Sequence, residues 1–224
     1  MTPRELLGTA RVPGGNEELR LFRRGGDFMV VLDRNELMSS RMSGSEEALA
    51  TMTLDRLGTG DARLLIGGYG MGFTLRAALA RLGPAARVVV AELVPEIVAW
   101  ARGPMADLAA GCLDDPRVQL VEDDVAALIA AAKPGYDAIL LDVDNGPDGL
   151  TRLANDRLYT AAGLATARRA LTPGGILAVW SAAPDAAFTR RLAAAGFAVE
   201  EVVVRARQNG KGPRHVIWFA RAGT

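Results

Sequence analysis

The sequence predicts an α/β fold, in which a doubly wound, mostly parallel sheet ends in an antiparallel hairpin and follows a small β-rich N-terminal unit. Three observations support this prediction. From residue 63 onward, short aliphatic runs alternate with amphipathic stretches. These runs do not alternate polar and apolar residues, as is typical of strands in a parallel sheet covered on both faces. The last two apolar runs are instead joined by a short polar turn, which indicates a hairpin.

The N-terminal region reads as a hairpin followed by a helix. Two short apolar runs within residues 19–32 flank a glycine turn. Apolar residues at helical spacing then occupy 45–57, and a serine with two glutamates stands at the start, where an N-cap and acidic side chains are favourable. We therefore predict a small N-terminal unit over 1–45 and a main domain over 46–224.

The main domain contains the alternating elements. Five short aliphatic runs predict its parallel strands, at 64–66, 88–90, 118–121, 138–141 and 176–180. Helices are predicted between them at 73–82, 95–110 and 158–171. The closing hairpin is predicted from the apolar runs at 198–205 and 215–220.

Composition excludes several classes of function. The chain carries 26 basic and 26 acidic side chains, so its formal net charge is zero and we expect no nucleic-acid partner. No apolar run approaches the roughly 18 residues of a membrane span, and the first 15 residues lack a secretory pattern. Cys112 is the single cysteine and His215 the single histidine, so we expect a cytoplasmic protein without a disulfide or a metal centre. We interpret His215 as structural, because no serine or cysteine motif accompanies it.

A glycine-rich loop follows the first predicted strand and precedes a helix. Glycines at such a junction let the chain turn tightly and let a ligand approach the backbone, so a nucleotide-like ligand is favoured over a plain turn. The spacing lacks the full dinucleotide pattern, which leaves the identity of the cofactor open at this point. The candidate binding residues are Gly67, Gly68, Tyr69, Gly70, Met71 and Gly72.

Acidic residues follow the next two strands. Glu92, beside Leu93, stands about 20 residues after the loop, where a carboxylate can accept hydrogen bonds from the ribose hydroxyls of an adenosine. Asp123 and Asp124 follow the third strand, and a carboxylate there can bind an adenine amino group. Asp124 can also cap the helix that begins at Val125, and the two roles are compatible.

The fourth strand ends in a further acidic turn that contains Asp142, Asp144 and Asn145. Because ligands of open parallel sheets bind beyond the carboxyl ends of the strands, this turn faces the same cleft as the glycine loop. Two carboxylates and an amide can hold a cationic amine and remove its proton, so these three are the candidate catalytic residues. The alternative is an Asx turn before Pro147. Trp180 ends the fifth strand, where it can line the substrate cleft.

At this point the sequence resembles the spermidine synthase family of aminopropyltransferases, whose domain has a Rossmann-like, class I S-adenosylmethionine-dependent methyltransferase fold. The resemblance implies that Glu92 binds the ribose, that Asp124 with Val125 binds the adenine and that Asp142 deprotonates the attacking amine. It also suggests a homodimer that pairs through the N-terminal region. The resemblance extends over roughly residues 19–182. The residues that support it are 65–68 with Gly70 and Gly72, Glu92 with Pro95, 115–118, Asp124, 141–142, 158–159 and 173–175.

The departures from that family fall on its specificity residues. Its loop aspartate, which holds the free amine of decarboxylated S-adenosylmethionine, corresponds to Gly70. The tyrosine and glutamine of its polyamine pocket fall on Ser45 and Glu46. The second aspartate of its Asp-Ser-Ser-Asp motif becomes Asn145, with Asp144 one place earlier, and a glutamine after strand five becomes Trp180. Together with Tyr159, the residues Ser45, Glu46 and Trp180 form the predicted substrate pocket.

The expected function is a spermidine synthase-like transferase that uses S-adenosylmethionine and no metal. Since Gly70 supplies no carboxylate for the decarboxylated donor, we favour transfer of a methyl group to a small acceptor, with Asp142 or Asp144 as base or electrostatic anchor. The alternative is an aminopropyltransferase that uses decarboxylated S-adenosylmethionine and acts on a polyamine. A non-catalytic nucleoside-binding protein also stays open, and an NAD-dependent oxidoreductase is a weaker competitor because the closing hairpin argues against it.

Overall fold

The structure is a computed structural model, and it describes residues 3–15, 17–143 and 156–223. Within these residues the predicted α/β fold is confirmed: a parallel-dominated seven-stranded sheet follows a separate four-stranded antiparallel sheet. Two of the candidate catalytic residues, Asp144 and Asn145, lie outside the described residues.

The N-terminal sheet has the order β1-β2-β3-β4, and all its neighbouring strands are antiparallel. The predicted hairpin corresponds to β2 and β3, and the structure adds a strand on each side. The pairing of both outer strands contains a register shift, which lies next to Gly8 in β1 and opposite Val31 in the pairing of β4. Neither outer strand therefore shows a regular alternation of polar and apolar residues in the sequence. The strands are β1 Glu5–Arg11, β2 Glu18–Arg24, β3 Asp27–Leu32 and β4 Asn35–Ser39.

The main sheet has the order β10-β11-β9-β8-β5-β6-β7. Strands β5 to β9 run parallel, whereas β11 is antiparallel to both β9 and β10, as the closing hairpin predicts. The strands are β5 Arg63–Gly67, β6 Arg87–Ala91, β7 Val118–Val121, β8 Tyr136–Leu141, β9 Leu171–Ser181, β10 Phe197–Arg205 and β11 Arg214–Ala222.

Two predicted helices are each divided in the structure, and one helix was not predicted. The 95–110 stretch breaks at Gly103, and the 158–171 stretch breaks at Thr160, whose hydroxyl accepts from the Gly163 N–H as an N-cap. The unpredicted helix follows Asp185, whose carboxylate caps it. The helices are α1 Gly44–Leu57, α2 Phe73–Leu79, α3 Pro95–Arg102, α4 Ala106–Ala109, α5 Val125–Ala131, α6 Asp156–Tyr159, α7 Ala161–Ala170 and α8 Ala186–Ala194.

The core lies on both faces of the main sheet. Successive residues of a strand point to opposite faces, so Leu64 and Ile66 of β5 belong to one buried cluster and Leu65 to the other. The first cluster continues into the N-terminal sheet through Leu21 and Val30, which are at most 1% exposed. The two sheets therefore pack through shared apolar side chains, and the predicted boundary at residue 45, where the chain enters α1, remains a prediction. None of the described helices is long and apolar enough to span a membrane.

Candidate functional site

The glycine loop joins β5 to α2 and turns through three left-handed residues. Gly68, Gly70 and Gly72 have φ values of 86°, 55° and 77°, a region that other residues adopt at a cost. A Cβ on Gly68 would lie 2.4 Å from the carbonyl oxygen of Asp142, so the loop packs directly against the end of β8. At Gly70, by contrast, a Cβ would meet only the Met38 sulfur, at 3.1 Å.

Glu92 follows β6 and is 5% exposed. Its Oε2 accepts hydrogen bonds from the N–H groups of Tyr69 at 3.0 Å and Gly70 at 3.4 Å, and its Oε1 accepts from the Val94 N–H at 2.9 Å. Burial raises the pKa of the carboxyl, and these backbone donors oppose the shift. Glu92 therefore holds the glycine loop in place. The contact of Glu92 with a ribose stays a prediction.

The acids that follow β7 are also engaged locally. Asp124 accepts from the Ala126 N–H at 2.8 Å through Oδ1 and so caps α5, as the alternative interpretation expects. Its Oδ2 accepts from Arg157 on α6. Asp123 is exposed and lines the cleft together with Leu93 and Val125. The adenine contact of Asp124 therefore remains a prediction.

Asp142 directly follows β8 and faces the cleft. Its Oδ2 accepts a 2.8 Å hydrogen bond from the hydroxyl of Thr74 on α2. Its backbone N–H donates to the Gly67 carbonyl at 3.0 Å, which ties the end of β8 to the glycine loop. Burial raises the pKa of Asp142 to about 6, although the Thr74 hydroxyl lowers it somewhat. The group is therefore a stronger base than an ordinary carboxylate while remaining mostly ionised at neutral pH.

Glu46 brings a second carboxyl group to the same part of the cleft. It lies in the first turn of α1, and the hydroxyl of Thr74 approaches its carbonyl oxygen at 3.3 Å. Burial, and then the charge of Asp142, raise the pKa of Glu46 to about 8. Two carboxyl groups that disfavour each other's ionised form make a site where a cation is stabilised.

Ser45 and His215 extend this site in a way that the sequence did not reveal. The Ser45 hydroxyl is fully buried, lies 3.0 Å from Glu46 Oε2 and lies 2.8 Å from His215 Nδ1. The His215 ring packs against Trp180, with centroids 4.7 Å apart at an interplanar angle of 75°. Among the described residues the Trp180 indole N–H has no hydrogen-bond partner. Ser45 and His215 are separated by 170 positions, so no local motif could have paired them.

Tyr159 differs from the expectation that it lies in the substrate pocket. The structure places it at the end of α6, 4% exposed, with its ring 5.6 Å from that of Phe188 in an edge-on contact. It belongs to the buried cluster on the opposite face of the main sheet from most of the cleft lining, and is not among the residues that line the cleft.

The glycine loop, the acids and Trp180 line one cleft between the N-terminal sheet and the carboxyl ends of β5, β6, β7 and β8, whereas Ser45, like Tyr159, is not among the lining residues. The acids of the main domain that line it include Glu46, Asp123, Asp124 and Asp142. The N-terminal region contributes Glu17 and the apolar side chains of Val12, Leu19, Leu32, Leu37 and Met38. A cleft that combines apolar side chains, several acids and a glycine loop suits an adenosyl group that carries a cationic sulfonium. The described parts of the chain contain no cluster of three acidic, cysteine or histidine side chains that could hold a metal ion.

Comparisons with known proteins agree with this geometry. Residues 42–188 match the family model of the spermine/spermidine synthase domain. A polyamine aminopropyltransferase of Mycobacterium tuberculosis is 33% identical over 192 residues, which are 82% of this chain and 35% of that protein. One from Corynebacterium efficiens is 32% identical over 172 residues, which are 74% of this chain and 31% of that protein. The chain thus spans about a third of the length of these curated relatives.

The crystal structure of spermidine synthase from Thermotoga maritima shares the fold, with a TM-score of 0.78 and 19% identity, and the match covers 98% of this chain and 73% of that one. The preference for methyl transfer is wrong, because the matching family model and these relatives are named for spermine and spermidine synthesis or aminopropyl transfer. The absence of a carboxylate at Gly70 does not determine which group is transferred. The chain belongs to the spermine/spermidine synthase family.

Proposed function

We propose that this chain transfers an aminopropyl group from decarboxylated S-adenosylmethionine to a small amine, with Asp142 as the base. The observation that carries the proposal is the pair of carboxyl groups, Asp142 and Glu46, which lie beside the glycine loop with raised pKa values. Family membership supports the class of reaction, and the pair supplies the chemistry that an amine acceptor needs.

Donor binding would rest on the loop and the acids beyond it. When bound, the donor supplies a sulfonium whose propyl carbon is open to attack by an amine. Glu92 holds the loop backbone through its accepted N–H bonds, and a ribose hydroxyl would bind beside it. Asp123 is exposed and lines the cleft, where it would accept from the adenine amino group. The apolar side chains of the N-terminal sheet would exclude water from the reacting centre, which would strengthen the attraction between the acids and a cation.

Acceptor binding and activation would rest on Asp142 and Glu46. An amine is protonated in water, and only its neutral form carries the electron pair that attacks carbon. Ionised Asp142, with the Glu46 carboxyl group beside it, attracts the ammonium and then accepts one of its protons. Because Thr74 donates to Oδ2, the other carboxylate oxygen of Asp142 stays available for that proton. Alignment of the amine behind the propyl carbon supplies the rest of the acceleration.

The test is a transfer assay on the full chain. Purified protein is incubated with decarboxylated S-adenosylmethionine and a panel of diamines, and methylthioadenosine and the alkylated amine are quantified by mass spectrometry. We expect product with at least one diamine, and a loss of about a hundredfold or more in Asp142→Asn, since a general base contributes roughly 10² to 10⁴. The matched control is Asp107→Asn, which removes one exposed acid of α4 and should keep the wild-type rate.

Two results would contradict the proposal. One is absence of product with every diamine in a protein that is folded by circular dichroism. The other is a wild-type rate in Asp142→Asn. The expectations of a cytoplasmic location, a homodimer and a reaction without metal belong to this proposal, and gel filtration of the active protein together with activity in the presence of a chelator tests the last two.

A further inference from the structure

Three side chains form a continuous line of hydrogen bonds from the cleft into β11. Glu46 contacts Ser45, and Ser45 contacts His215 Nδ1, at 3.0 and 2.8 Å. The order differs from that of a nucleophile triad, in which the imidazole stands between the acid and the hydroxyl. Here the hydroxyl stands between the acid and the imidazole, and it is fully buried, so it has no substrate to attack. His215 lies beyond the residues 42–188 that match the family model.

The number of hydrogens in this line allows two arrangements. A serine hydroxyl has one hydrogen to donate, and a neutral imidazole has one N–H and one acceptor nitrogen. When Glu46 is ionised, Ser45 donates to it, and His215 must carry its hydrogen on Nδ1 and donate to Ser45. When Glu46 is protonated it donates to Ser45, Ser45 donates to Nδ1, and His215 carries its hydrogen on Nε2. The protonation of Glu46 is thus linked to the tautomer of His215.

We propose that Glu46, Ser45 and His215 form a proton relay, which carries the proton released by the acceptor amine from the cleft to the partly exposed imidazole of His215. This inference rests on the proposed function and adds to it the route by which the proton leaves. Passage of one proton from Glu46 through Ser45 to Nδ1, with release of the Nε2 hydrogen to water, converts the second arrangement into the first.

The stoichiometry of the transfer requires such an exit. An ammonium first loses one proton to Asp142, and its nitrogen then forms a bond to the propyl carbon while the carbon–sulfur bond breaks. The electron pair of that bond stays on sulfur, which becomes a neutral thioether, and the positive charge ends on the new secondary ammonium. One proton therefore remains on Asp142 after each turnover, and it must leave before the next acceptor is deprotonated. In the relay it passes to Glu46 once Glu46 is ionised, in the direction of the higher pKa, and from there through Ser45 to His215.

The groups around the relay place its resting proton on Glu46, so the passage to Nδ1 is the uphill step and loss of the Nε2 hydrogen to water completes it. Asp142 at the end of β8 and Glu47 on α1 both raise the pKa of Glu46, and Glu47 accepts from the side-chain amide of Gln208 in the β10–β11 turn. Burial lowers the pKa of His215, and the ring packed against it is the uncharged indole of Trp180. The His215 ring is therefore neutral above about pH 6.5. A change in its tautomer above that pH can thus be distinguished from protonation of the ring itself.

Nuclear magnetic resonance tests the linkage without substrate, because His215 is the single histidine in the chain. The two ring nitrogens are observed in protein labelled with ¹⁵N-histidine between pH 6.5 and 9.5. We expect the Nε2–H tautomer to dominate at the low end and the Nδ1–H tautomer at the high end, with a midpoint near the pKa of Glu46, about 8. In Glu46→Gln, which keeps the shape and has no titrating carboxyl, the tautomer ratio should not change. An unchanging ratio in the wild type, or a persistent change in Glu46→Gln, overturns the relay.

Transfer kinetics provide the second readout. His215→Asn keeps an amide group near the position of Nδ1 but cannot exchange its proton, and Ser45→Ala interrupts the line. We expect each variant to lower kcat at least about tenfold and to flatten the alkaline part of the plot of kcat against pH. Because both substitutions interrupt the same line, the double variant should have a kcat no lower than that of either single variant. Ser40→Ala, a serine of the N-terminal region that accepts from Phe28 N–H, is the control and should keep the wild-type profile. Unfolding midpoints identify any variant that fails to fold.

The outcomes separate the two proposals. A wild-type protein without transfer activity refutes the proposed function, whereas the tautomer measurement still tests the linkage. Normal pH profiles in both His215→Asn and Ser45→Ala refute the relay and leave the proposed function standing.

Discussion

Gly70→Asp tests the glycine loop most directly, because it places a carboxylate where the resembling family has one. Gly70 has a φ of 55°, and its new Cβ would meet only the flexible end of Met38, at 3.1 Å. A left-handed non-glycine residue costs about 1–2 kcal/mol, toward the low end for aspartate, so the folded state should lose about 1 kcal/mol. A hydrogen bond between the carboxylate and the donor's ammonium contributes about 1.5–3 kcal/mol, or about ten- to a hundredfold in Kd.

Calorimetric titration with decarboxylated S-adenosylmethionine and with S-adenosylmethionine measures both affinities. We expect Gly70→Asp to bind the decarboxylated donor at least tenfold more tightly than the wild type and the other donor no better. Gly70→Asn is the matched control, with the same shape and backbone cost but no charge. If Gly70→Asn tightens binding equally, or if Gly70→Asp favours neither donor, position 70 does not face the donor's amine and the reasoning fails.

Three further predictions concern the acids and the core. Glu92→Gln turns an amide NH₂ toward the loop's N–H donors, so calorimetry should show at least tenfold weaker donor binding, and an unchanged Kd would contradict the role of Glu92. Glu46 keeps its proton when folded up to about pH 8 but loses it near pH 4.5 when unfolded, so wild-type stability should fall as pH rises between these values. In Glu46→Gln, the free energy of unfolding measured with urea should fall less steeply with pH than in the wild type, by at most about 1.4 kcal/mol per pH unit. Parallel curves for the two proteins would exclude the raised pKa of Glu46. Phe188→Ala should lower the free energy of unfolding by about 3–5 kcal/mol in the same assay. Phe188 is fully buried, and its ring lies 5.0 Å from that of Trp218. A loss below about 1 kcal/mol would contradict its place in the core.

The fold was predictable because its parallel strands are buried on both faces. Such strands read as short aliphatic runs, and the glycine and acidic turns that follow them mark their carboxyl ends. The outer strands of the N-terminal sheet escaped prediction, because register shifts next to Gly8 and opposite Val31 interrupt their alternation. Helix α8 has a readable signal in the sequence, because the cap Asp185 stands before an amphipathic stretch.

The candidate site was predictable only in part. Glu92 and Asp142 directly follow a strand and Asp124 follows one within three residues, so a shared edge of the sheet was expected to bring them together. The cap formed by Asp124 was predictable from the sequence. The bonds from Glu92 to the glycine loop and from Arg157 to Asp124 were not, because only the packed chain supplies those contacts. Tyr159 shows the converse, since its position in a motif did not reveal that it packs on Phe188.

By itself, the sequence determined the alternation of strands and helices, the glycine loop and the line of acids at the carboxyl ends of the strands. These are local patterns, and residues a few positions apart decide them. Tertiary structure decided which acids influence one another and what surrounds them. Glu46 comes close to Asp142, and Ser45 meets His215 across 170 positions, because α1 packs against both β8 and β11. Burial then raises the pKa values of both carboxyl groups, and the charge of Asp142 adds to the shift of Glu46, an effect of the three-dimensional surroundings that no run of residues contains.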